Sequence, residues 1–174
     1  MQALKFIFVM SACVTNTSPL IAFSAIKRLD LLREIFPETF VPDAVFRETV
    51  TDGVGWHEAN QLQQELVAGN WLARVKVPGS SFLGSLRDRL GGSGEAEAIV
   101  LAKERSLPVL LDEMAGRRAA AALDLQVIGS LWVLRQSKAA GRIKLIRPVI
   151  TQMIESGIYY HDNLVEKFLR EVGE

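Results

Sequence analysis

Cysteine, histidine and long apolar runs are all scarce in this chain of 174 residues. The single cysteine, Cys13, excludes an internal disulfide and a cysteine-built zinc site, which favours a reducing, cytoplasmic location. The two histidines, His57 and His161, have no second histidine at ligand spacing, so each is interpreted as an ordinary surface or core residue. No apolar run approaches the roughly 18 residues that a membrane helix needs, and no membrane partner is expected.

The chain also lacks a net charge, since 20 basic residues balance 20 acidic ones. This balance excludes a general polycation that coats nucleic acid, but it leaves a local basic patch possible. At the N-terminus, the apolar segment from Phe6 to Met10 is short for a signal peptide, whose apolar region has about 7–15 residues. Export is therefore not expected, and whether translation starts at Met1 or Met10 stays open.

Short apolar stretches alternate with segments of helical periodicity along the chain. Such alternation predicts a parallel sheet covered by helices on both faces, within a single domain that spans residues 1–174. Its core is expected over about 11–150, with 151–174 as a helical C-terminal extension. Strands are predicted over 6–14, 39–41, 71–77, 109–111 and 126–128. Helices are predicted from Ser18-Pro19 to Leu32 and over 43–50, 57–66, 95–105 and 113–123, and the chain after Gly129 is predicted to be helical.

Phosphate-cradling signatures are missing: there is no GxxxxGK[ST] motif and no GxGxxG after a strand. The glycine-rich segment Gly91-Gly92-Ser93-Gly94 lacks the lysine of such a motif. It is interpreted as a flexible loop in which Ser93 or Gly94 caps the helix that follows.

Two polar residues, Asn16 and Asp112, each follow a strand-like run. In doubly wound sheets, ligands bind at the carboxyl ends of the strands, so both side chains are expected at that edge. Each has a structural alternative, because Asp112 could cap the next helix and Asn16 could stabilise a turn.

Two glutamates are predicted on helix faces that pack inward. Glu95 shares a stripe with Ile99 and Ala102, whereas Glu97 points the opposite way and is expected in solvent. Glu48 shares a face with neighbouring apolar residues of its helix. A buried carboxylate is costly unless it is paired or metal-bound, and a salt bridge with arginine is the structural alternative for both.

Converging carboxylates without histidine or cysteine partners favour a hard cation, Mg²⁺ or Mn²⁺. Such sites activate water and stabilise a leaving oxygen in phosphodiester cleavage. These residues alone leave open a metal-dependent nuclease and a magnesium-dependent phosphatase.

Four segments in this order resemble the PIN-domain family, in its uncharacterised branch of VapC-like toxins: TNTSPLI from Thr15, PDAVFRE from Pro42, GEAEAI from Gly94 and LLDE from Leu110. The similarity runs from about Ser11 to Ile150. The resemblance implies an α/β/α sandwich with a central parallel sheet and RNA cleavage that depends on magnesium or manganese. Many relatives are toxins of toxin–antitoxin pairs, each neutralised by a small antitoxin protein and often dimeric.

The resemblance also assigns roles to individual residues. Glu48, Glu95 and Asp112 match the second, third and fourth catalytic and metal-binding acids, and Glu113 matches a less constant neighbour. The first acid of the family is an aspartate, whereas this chain has Asn16. An amide oxygen can ligate a cation but brings no charge, so metal binding and catalysis are expected to weaken. The alternative is a catalytically inactive PIN-like domain that binds RNA or a partner protein.

A stretch without acidic residues runs from Leu125 to Ile154 and contains five basic residues, with two arginines on the helix that follows Asp112. Such a stretch could follow a phosphate backbone. The alternatives are an ordinary solvated helix face and a surface for an acidic antitoxin. Trp132 is interpreted as a core residue and not as a platform for base stacking. The predicted nucleic-acid-binding residues are Arg117, Arg118, Arg135, Lys138 and Arg142.

Overall fold

A sheet of five parallel strands forms the centre of the protein, in the order β3-β2-β1-β4-β5. The computed structural model describes residues 10–52 and 57–174, with 57–59 described for their backbone only. Of the predicted first strand, residues 6–9 lie outside this described part. The strands are β1 Ala12–Thr15, β2 Glu38–Pro42, β3 Leu72–Val75, β4 Val109–Leu110 and β5 Val127–Ile128.

Helices cover both faces of the sheet. The helices α1 to α4 are Thr17–Ala25, Leu29–Ile35, Asp43–Phe46 and His57–Ala68, and a π-helical turn, Arg47–Thr51, directly continues α3. The helices α5 to α7 are Ser81–Leu90, Ser93–Arg105 and Met114–Ala121. The helices α8 to α10 are Ser130–Ala139, Arg147–Glu155 and Asp162–Glu171. Among the helices of the described residues, none is long and apolar enough to cross a membrane.

Alternating strand residues divide the core into two apolar layers. Cys13 belongs to one layer, with residues of α1, α2, α4 and α8 to α10, whereas Val14 belongs to the other, with residues of α5 to α7. Successive side chains of a strand point to opposite faces, so each layer fills the space between the sheet and one set of helices. The predicted three-layer α/β/α sandwich with a parallel sheet is therefore confirmed.

The chain reverses its direction of winding between β1 and β4, which lie side by side at the centre of the sheet. Val14 pairs with Val109 and Thr15 with Leu110, so these two strands end together. Ligands of doubly wound sheets bind at this point, outside the carboxyl ends of the strands. The residues that follow Thr15 and Leu110 therefore occupy the expected position of a functional site.

The single helix predicted up to Leu32 is wrong, because the chain forms α1 and α2 instead. Helix α1 begins at Thr17, and Asn16 is its cap. It ends at Ala25, and Lys27 then adopts a left-handed conformation with φ of 56°. The break redirects the chain, so both helices pack apolar residues into the same layer of the core.

Helix α5 was not predicted, although the sequence contains signals for both its ends. Ser80 Oγ accepts a hydrogen bond from the N–H of Leu83 at 3.1 Å, which caps the first turn. Gly91 ends the helix with φ of 72°, a conformation that favours glycine. After it, Gly92 caps α6, and not Ser93 or Gly94 as predicted.

The C-terminal helices pack against the rest of the chain. The boundary predicted at Ile150 falls inside α9, whose Ile150 and Met153 are fully buried. Helix α10 contributes Phe168 and Leu169 to the same apolar layer. The predicted helical extension therefore packs into the same apolar layer of the core as α1 and α8.

Candidate active site

Asn16 links the end of β1 to the start of α1. Its side chain is only 3% exposed, and its Oδ1 accepts a hydrogen bond from the N–H of Thr17. Its own N–H donates to the carbonyl oxygen of Leu110 at 3.2 Å, which attaches it to β4. The residue therefore lies at the predicted edge and at the same time caps a helix.

Glu48 reaches the same edge from the π-helical turn. Its Oε2 accepts a hydrogen bond from Thr17 Oγ1 at 2.5 Å, and its Oε1 accepts one from the N–H of Gly94 at 2.8 Å. A Cβ at Gly94 would lie 2.4 Å from Glu48 Oε2, so this approach requires glycine. In the described part of the chain, neither Glu48 nor Glu95 forms an ion pair with arginine, so the predicted structural alternative is not observed.

Glu95 has the least compensated carboxylate of the site. It is 7% exposed, and its Oε1 is buried without a hydrogen-bond partner among the described residues. It lies against the backbone of Gly116 in α7. Burial, and then the charges of Glu113 and Glu48, raise the pKa of the Glu95 carboxyl to about 7. A nearby cation would remove this penalty.

Asp112 follows β4 and binds the start of α8. Its Oδ1 accepts the N–H of Ser130 at 2.7 Å, and its Oδ2 accepts the Ser130 hydroxyl at 2.5 Å. Burial raises the pKa of Asp112, while these hydrogen bonds and the charge of Arg117 oppose the increase. Asp112 thus supports α8, and the alternative that it caps the next helix, α7, is wrong, since Glu113 precedes that helix without a side-chain cap.

Glu113 is exposed and completes the acidic edge. Its Oε1 accepts a hydrogen bond from Ser18 Oγ at 2.7 Å. The hydroxyls of Thr17 and Ser18, in the first turn of α1, therefore orient Glu48 and Glu113, respectively. The negative charge of Glu113 disfavours ionisation of both Glu95 and Asp112.

The structure thus brings Asn16 and the four predicted acids to one edge of the sheet. The charges of Glu48 and Glu113 raise the pKa of the Glu95 carboxyl, and the charge of Glu113 raises that of Asp112. Within residues 10–52 and 60–174, however, no three acidic, histidine or cysteine side chains form a group that could hold a metal ion. Their roles as ligands stay a prediction.

The prediction that Glu97 lies in solvent is wrong. Glu97 is 3% exposed, and its carboxylate accepts hydrogen bonds from the N–H of Ala44 at 2.9 Å and from Arg87 Nη2 at 2.6 Å. Both α3 and α5 pack on α6, which buries this helix on nearly every side from 94 to 102. A helical wheel with one inward face cannot describe such a helix. Glu97 anchors α3, the helix that leads into Glu48.

The predicted nucleic-acid-binding residues mostly have partners within the chain. Arg117 donates to the carbonyl oxygen of Leu111 at 2.7 Å, beside Asp112. Arg118 is exposed and forms no ion pair with any described residue. The ion pairs of the basic stretch are Arg135–Glu171 at 3.8 Å, Lys138–Glu174 at 2.7 Å, Arg142–Glu34 at 2.7 Å and Arg147–Glu166 at 2.9 Å.

The remaining interpretations from the sequence concern one tryptophan and the two histidines. Trp132 packs against the core with its ring centroid 6.3 Å from that of Phe36, as predicted. His161 is exposed and contacts Tyr159, in agreement with an ordinary surface residue. The side chain of His57 lies outside the described residues.

Comparison with known families decides the classification of this fold. A family model described as a PIN domain matches residues 12–174, which is most of the chain. The chain belongs to the PIN-domain family. The match continues past Ile150, where the resemblance was expected to end, and includes α9 and α10. Neither the curated proteins nor the solved structures include a significant match to the chain. The PIN domain is a nuclease-type fold.

Ser130, Gly94 and Gly116 are site residues that the sequence reasoning did not identify. The two glycines make room for the carboxylates of Glu48 and Glu95, and Ser130 binds Asp112. A signal for Ser130 was present, because a serine after Gly129 at the end of an apolar strand is typical of a helix start. No comparable signal reveals which carboxylate packs against which glycine.

Proposed function

We propose that this PIN-domain protein is a ribonuclease that depends on Mg²⁺ or Mn²⁺ and serves as the VapC-like toxin of a toxin–antitoxin pair. The observation that carries the proposal is the buried, unpartnered Oε1 of Glu95 beside the charges of Glu48 and Glu113. A buried carboxylate of this kind is costly unless a cation binds it.

The donor chemistry at this edge suits a hard divalent cation, because all of these residues offer oxygen atoms, although their side chains are not gathered into a ready-made metal site. Glu48, Glu95 and Asp112 would hold it as the catalytic acids, with Asn16 and Glu113 as further ligands. When bound, such an ion activates water and stabilises the leaving oxygen of a phosphodiester. Thr17 and Ser18 orient two of the acids in advance, through the hydrogen bonds to Glu48 and Glu113.

Asn16 lowers the activity that we expect from this site. Its Oδ1 already accepts the N–H of Thr17, and its amide contributes no negative charge where the family has an aspartate. Affinity for divalent cations rises with the number of charged ligands. We therefore expect weak metal binding and slow cleavage of RNA.

A specific observation favours a second candidate function, an inactive PIN domain that binds RNA or a partner protein. Both oxygens of Glu48 and both oxygens of Asp112 already accept hydrogen bonds from the chain. A metal ion would compete with these bonds at a site that has one charge fewer than the family pattern. In this case the acids act mainly to hold α1, α6 and α8 together.

Manganese titration and RNA cleavage distinguish the two functions. We expect the wild type to bind Mn²⁺ and to cut a labelled single-stranded RNA only when Mn²⁺ or Mg²⁺ is present. Glu95→Gln should abolish both effects, whereas Glu104→Gln, at the exposed C-terminal end of the same helix, should keep them. RNA binding that persists in chelator without any cleavage would support the inactive module instead.

Arg118 is the strongest candidate for contact with RNA, because among the predicted cations it alone has neither an ion pair nor a side-chain hydrogen bond to any described residue. Arg118→Ala should weaken RNA binding and flatten its dependence on salt. Arg142→Ala is the matched control, since Arg142 is also an exposed arginine but pairs with Glu34. An equal loss of RNA affinity in both variants would contradict this assignment.

The remaining parts of the proposal concern partners and location. A small antitoxin partner and a homodimer follow from the family resemblance. The free, buried Cys13 additionally favours a cytoplasmic location. Co-expression of the chain with the product of the adjacent gene tests the toxin role. Growth arrest by the chain alone, relieved by a small neighbouring protein that copurifies with it, is the expected result.

A further inference from the structure

Glu48 lies on a short segment that leaves the regular α-helical ladder. Helix α3 passes at Arg47 into the π-helical turn, in which the N–H of Asp52 donates to the carbonyl oxygen of Arg47 at 2.8 Å, five residues back. An α-helix pairs residues four apart, so this turn accommodates one residue more than an α-helical turn does. Such turns are rare and frequently occur at functional sites. The predicted second acid is therefore carried by an irregular turn.

The hydrogen bonds of the Glu48 carboxylate depend on the position of this turn. Thr17 Oγ1 of α1 donates to one carboxylate oxygen, and the N–H of Gly94 in α6 donates to the other. The side chain has no spare room towards α6, because even a Cβ at Gly94 would collide with it. Since α1 and α6 hold the two donors, a small displacement of the turn would lengthen these bonds.

Thr49 forms a side-chain hydrogen bond at the junction between α3 and the π-helical turn. Its Oγ1 donates to the carbonyl oxygen of Val45 at 2.7 Å and lies 3.4 Å from that of Phe46. Val45 precedes Thr49 by four residues, so the hydroxyl bonds at the α-helical spacing just where the backbone changes to a spacing of five. A side chain that enters the backbone ladder in this way bends or distorts a helix. The bond therefore favours the irregular turn over a continuous α-helix.

Packing alone does not explain a threonine at this position. The buried residues of the turn are Thr49, which is 4% exposed, and Val50. A valine at position 49 would have nearly the same shape and would bury no hydroxyl. A buried hydroxyl costs free energy unless it is hydrogen-bonded, and the bond to Val45 meets that requirement.

We infer that Thr49 is a positioning residue for Glu48: its hydroxyl stabilises the π-helical turn, and the turn holds the carboxylate against α1 and α6. The inference rests on the proposed function for its effect on metal binding, because Glu48 is a predicted ligand. Thr49 acts on the site through the backbone of the turn and not through a contact with the carboxylate.

Three substitutions separate the hydroxyl from the shape of the side chain. Thr49→Val removes the hydroxyl and keeps the shape, whereas Thr49→Ser keeps the hydroxyl. Thr51→Val is the matched control, because it makes the same change at an exposed residue of the same turn.

Hydrogen exchange measured by NMR needs neither metal nor RNA. The amide of Asp52 reports on the π-helical turn, and the amide of Gly94 reports on the Glu48 carboxylate that it binds. We expect Thr49→Val to accelerate the exchange of both amides, and Thr49→Ser and Thr51→Val to leave the Gly94 amide close to wild type. An unchanged Gly94 amide in Thr49→Val would overturn the inference. Equal acceleration of Gly94 exchange in Thr49→Ser or in Thr51→Val would also overturn it, because the effect would then not come from the hydroxyl of Thr49.

The second measurement is a double-mutant cycle on Mn²⁺ affinity. Loss of a group that orients a metal ligand typically weakens binding by about 10-fold to 100-fold, and we expect the lower value, about 10-fold, in Thr49→Val. In a Glu48→Ala background the same substitution should have almost no effect, because Thr49 acts through Glu48. A full effect in that background would contradict the positioning role. Absence of Mn²⁺ binding in the wild type would contradict the proposed function, while the Gly94 amide still decides the role of Thr49.

Discussion

Gly116 lies directly against the carboxylate of Glu95, so closely that a Cβ at position 116 would stand 2.0 Å from Glu95 Oε1. No side chain of that size fits unless Glu95 moves. Because residue 116 of α7 is a glycine, the buried side chain of Glu95 on α6 can occupy this position.

Gly116→Ala is expected to destabilise the protein, although alanine is the better helix former. The overpacking costs about 1–3 kcal/mol, which exceeds the gain of about 1 kcal/mol in helix propensity. Gly84→Ala is the matched control, because Gly84 is also helical and a Cβ there meets no atom within 4 Å. Thermal unfolding should show a lower Tm for the first variant and a higher Tm for the second. In a Glu95→Ala background, Gly116→Ala should no longer destabilise; a persistent loss would show that Glu95 is not the obstacle.

Glu95 should make the free energy of unfolding depend on pH in the absence of metal. The folded state raises its pKa from 4.5 to about 7, so between these values the folded protein holds a proton that the unfolded chain releases. Its contribution to stability is therefore present below about pH 4.5 and is lost as pH rises through about 7, by about 3 kcal/mol at most.

Urea unfolding at pH 5 and pH 8 in chelator measures this effect. The wild type should lose more stability between the two pH values than Glu95→Gln, in which the titrating group is gone. Glu104→Gln should behave like the wild type, since Glu104 is exposed. The same pH dependence in wild type and Glu95→Gln would mean that another group is responsible.

The sequence predicted the layers of the fold better than the surroundings of its acids. Periodicity locates strands, so Asn16 and Asp112 could be placed at one edge of the sheet from the order of residues alone. Periodicity does not show how many neighbours pack around a helix, which is why Glu97 was misplaced. The partners of the acids, such as Thr17 for Glu48 and Ser130 for Asp112, depend on tertiary packing between segments far apart in the chain.

Glu97→Ala is expected to lower the free energy of unfolding substantially, although Glu97 is not one of the predicted site acids. Removal of the carboxylate leaves the Ala44 N–H and the Arg87 guanidinium without their acceptor. Breaking a buried charge pair costs about 3–5 kcal/mol, and the partial exposure of Arg87 places the expected loss near the lower limit, about 3 kcal/mol. Urea unfolding measures the loss, with Glu104→Ala as the exposed control. A loss below about 1 kcal/mol would contradict the anchoring role of Glu97.

Asn16→Asp tests whether the missing charge of the site lies where the family pattern places it. Aspartate can keep both the hydrogen bond from Thr17 and the role of helix cap, so the fold should tolerate the change. Without metal, the added charge should repel the acids at the same edge and lower the Tm. With Mn²⁺ present, the additional charged ligand should tighten binding and raise the Tm by more than in the wild type.

The measurement is the Tm of both proteins in chelator and in Mn²⁺, together with cleavage of a labelled single-stranded RNA. Equal responses to Mn²⁺ would show that Asn16 is not at the metal site. Strong metal-dependent cleavage by the wild type would show instead that the amide is tolerated, which would contradict the inactive module.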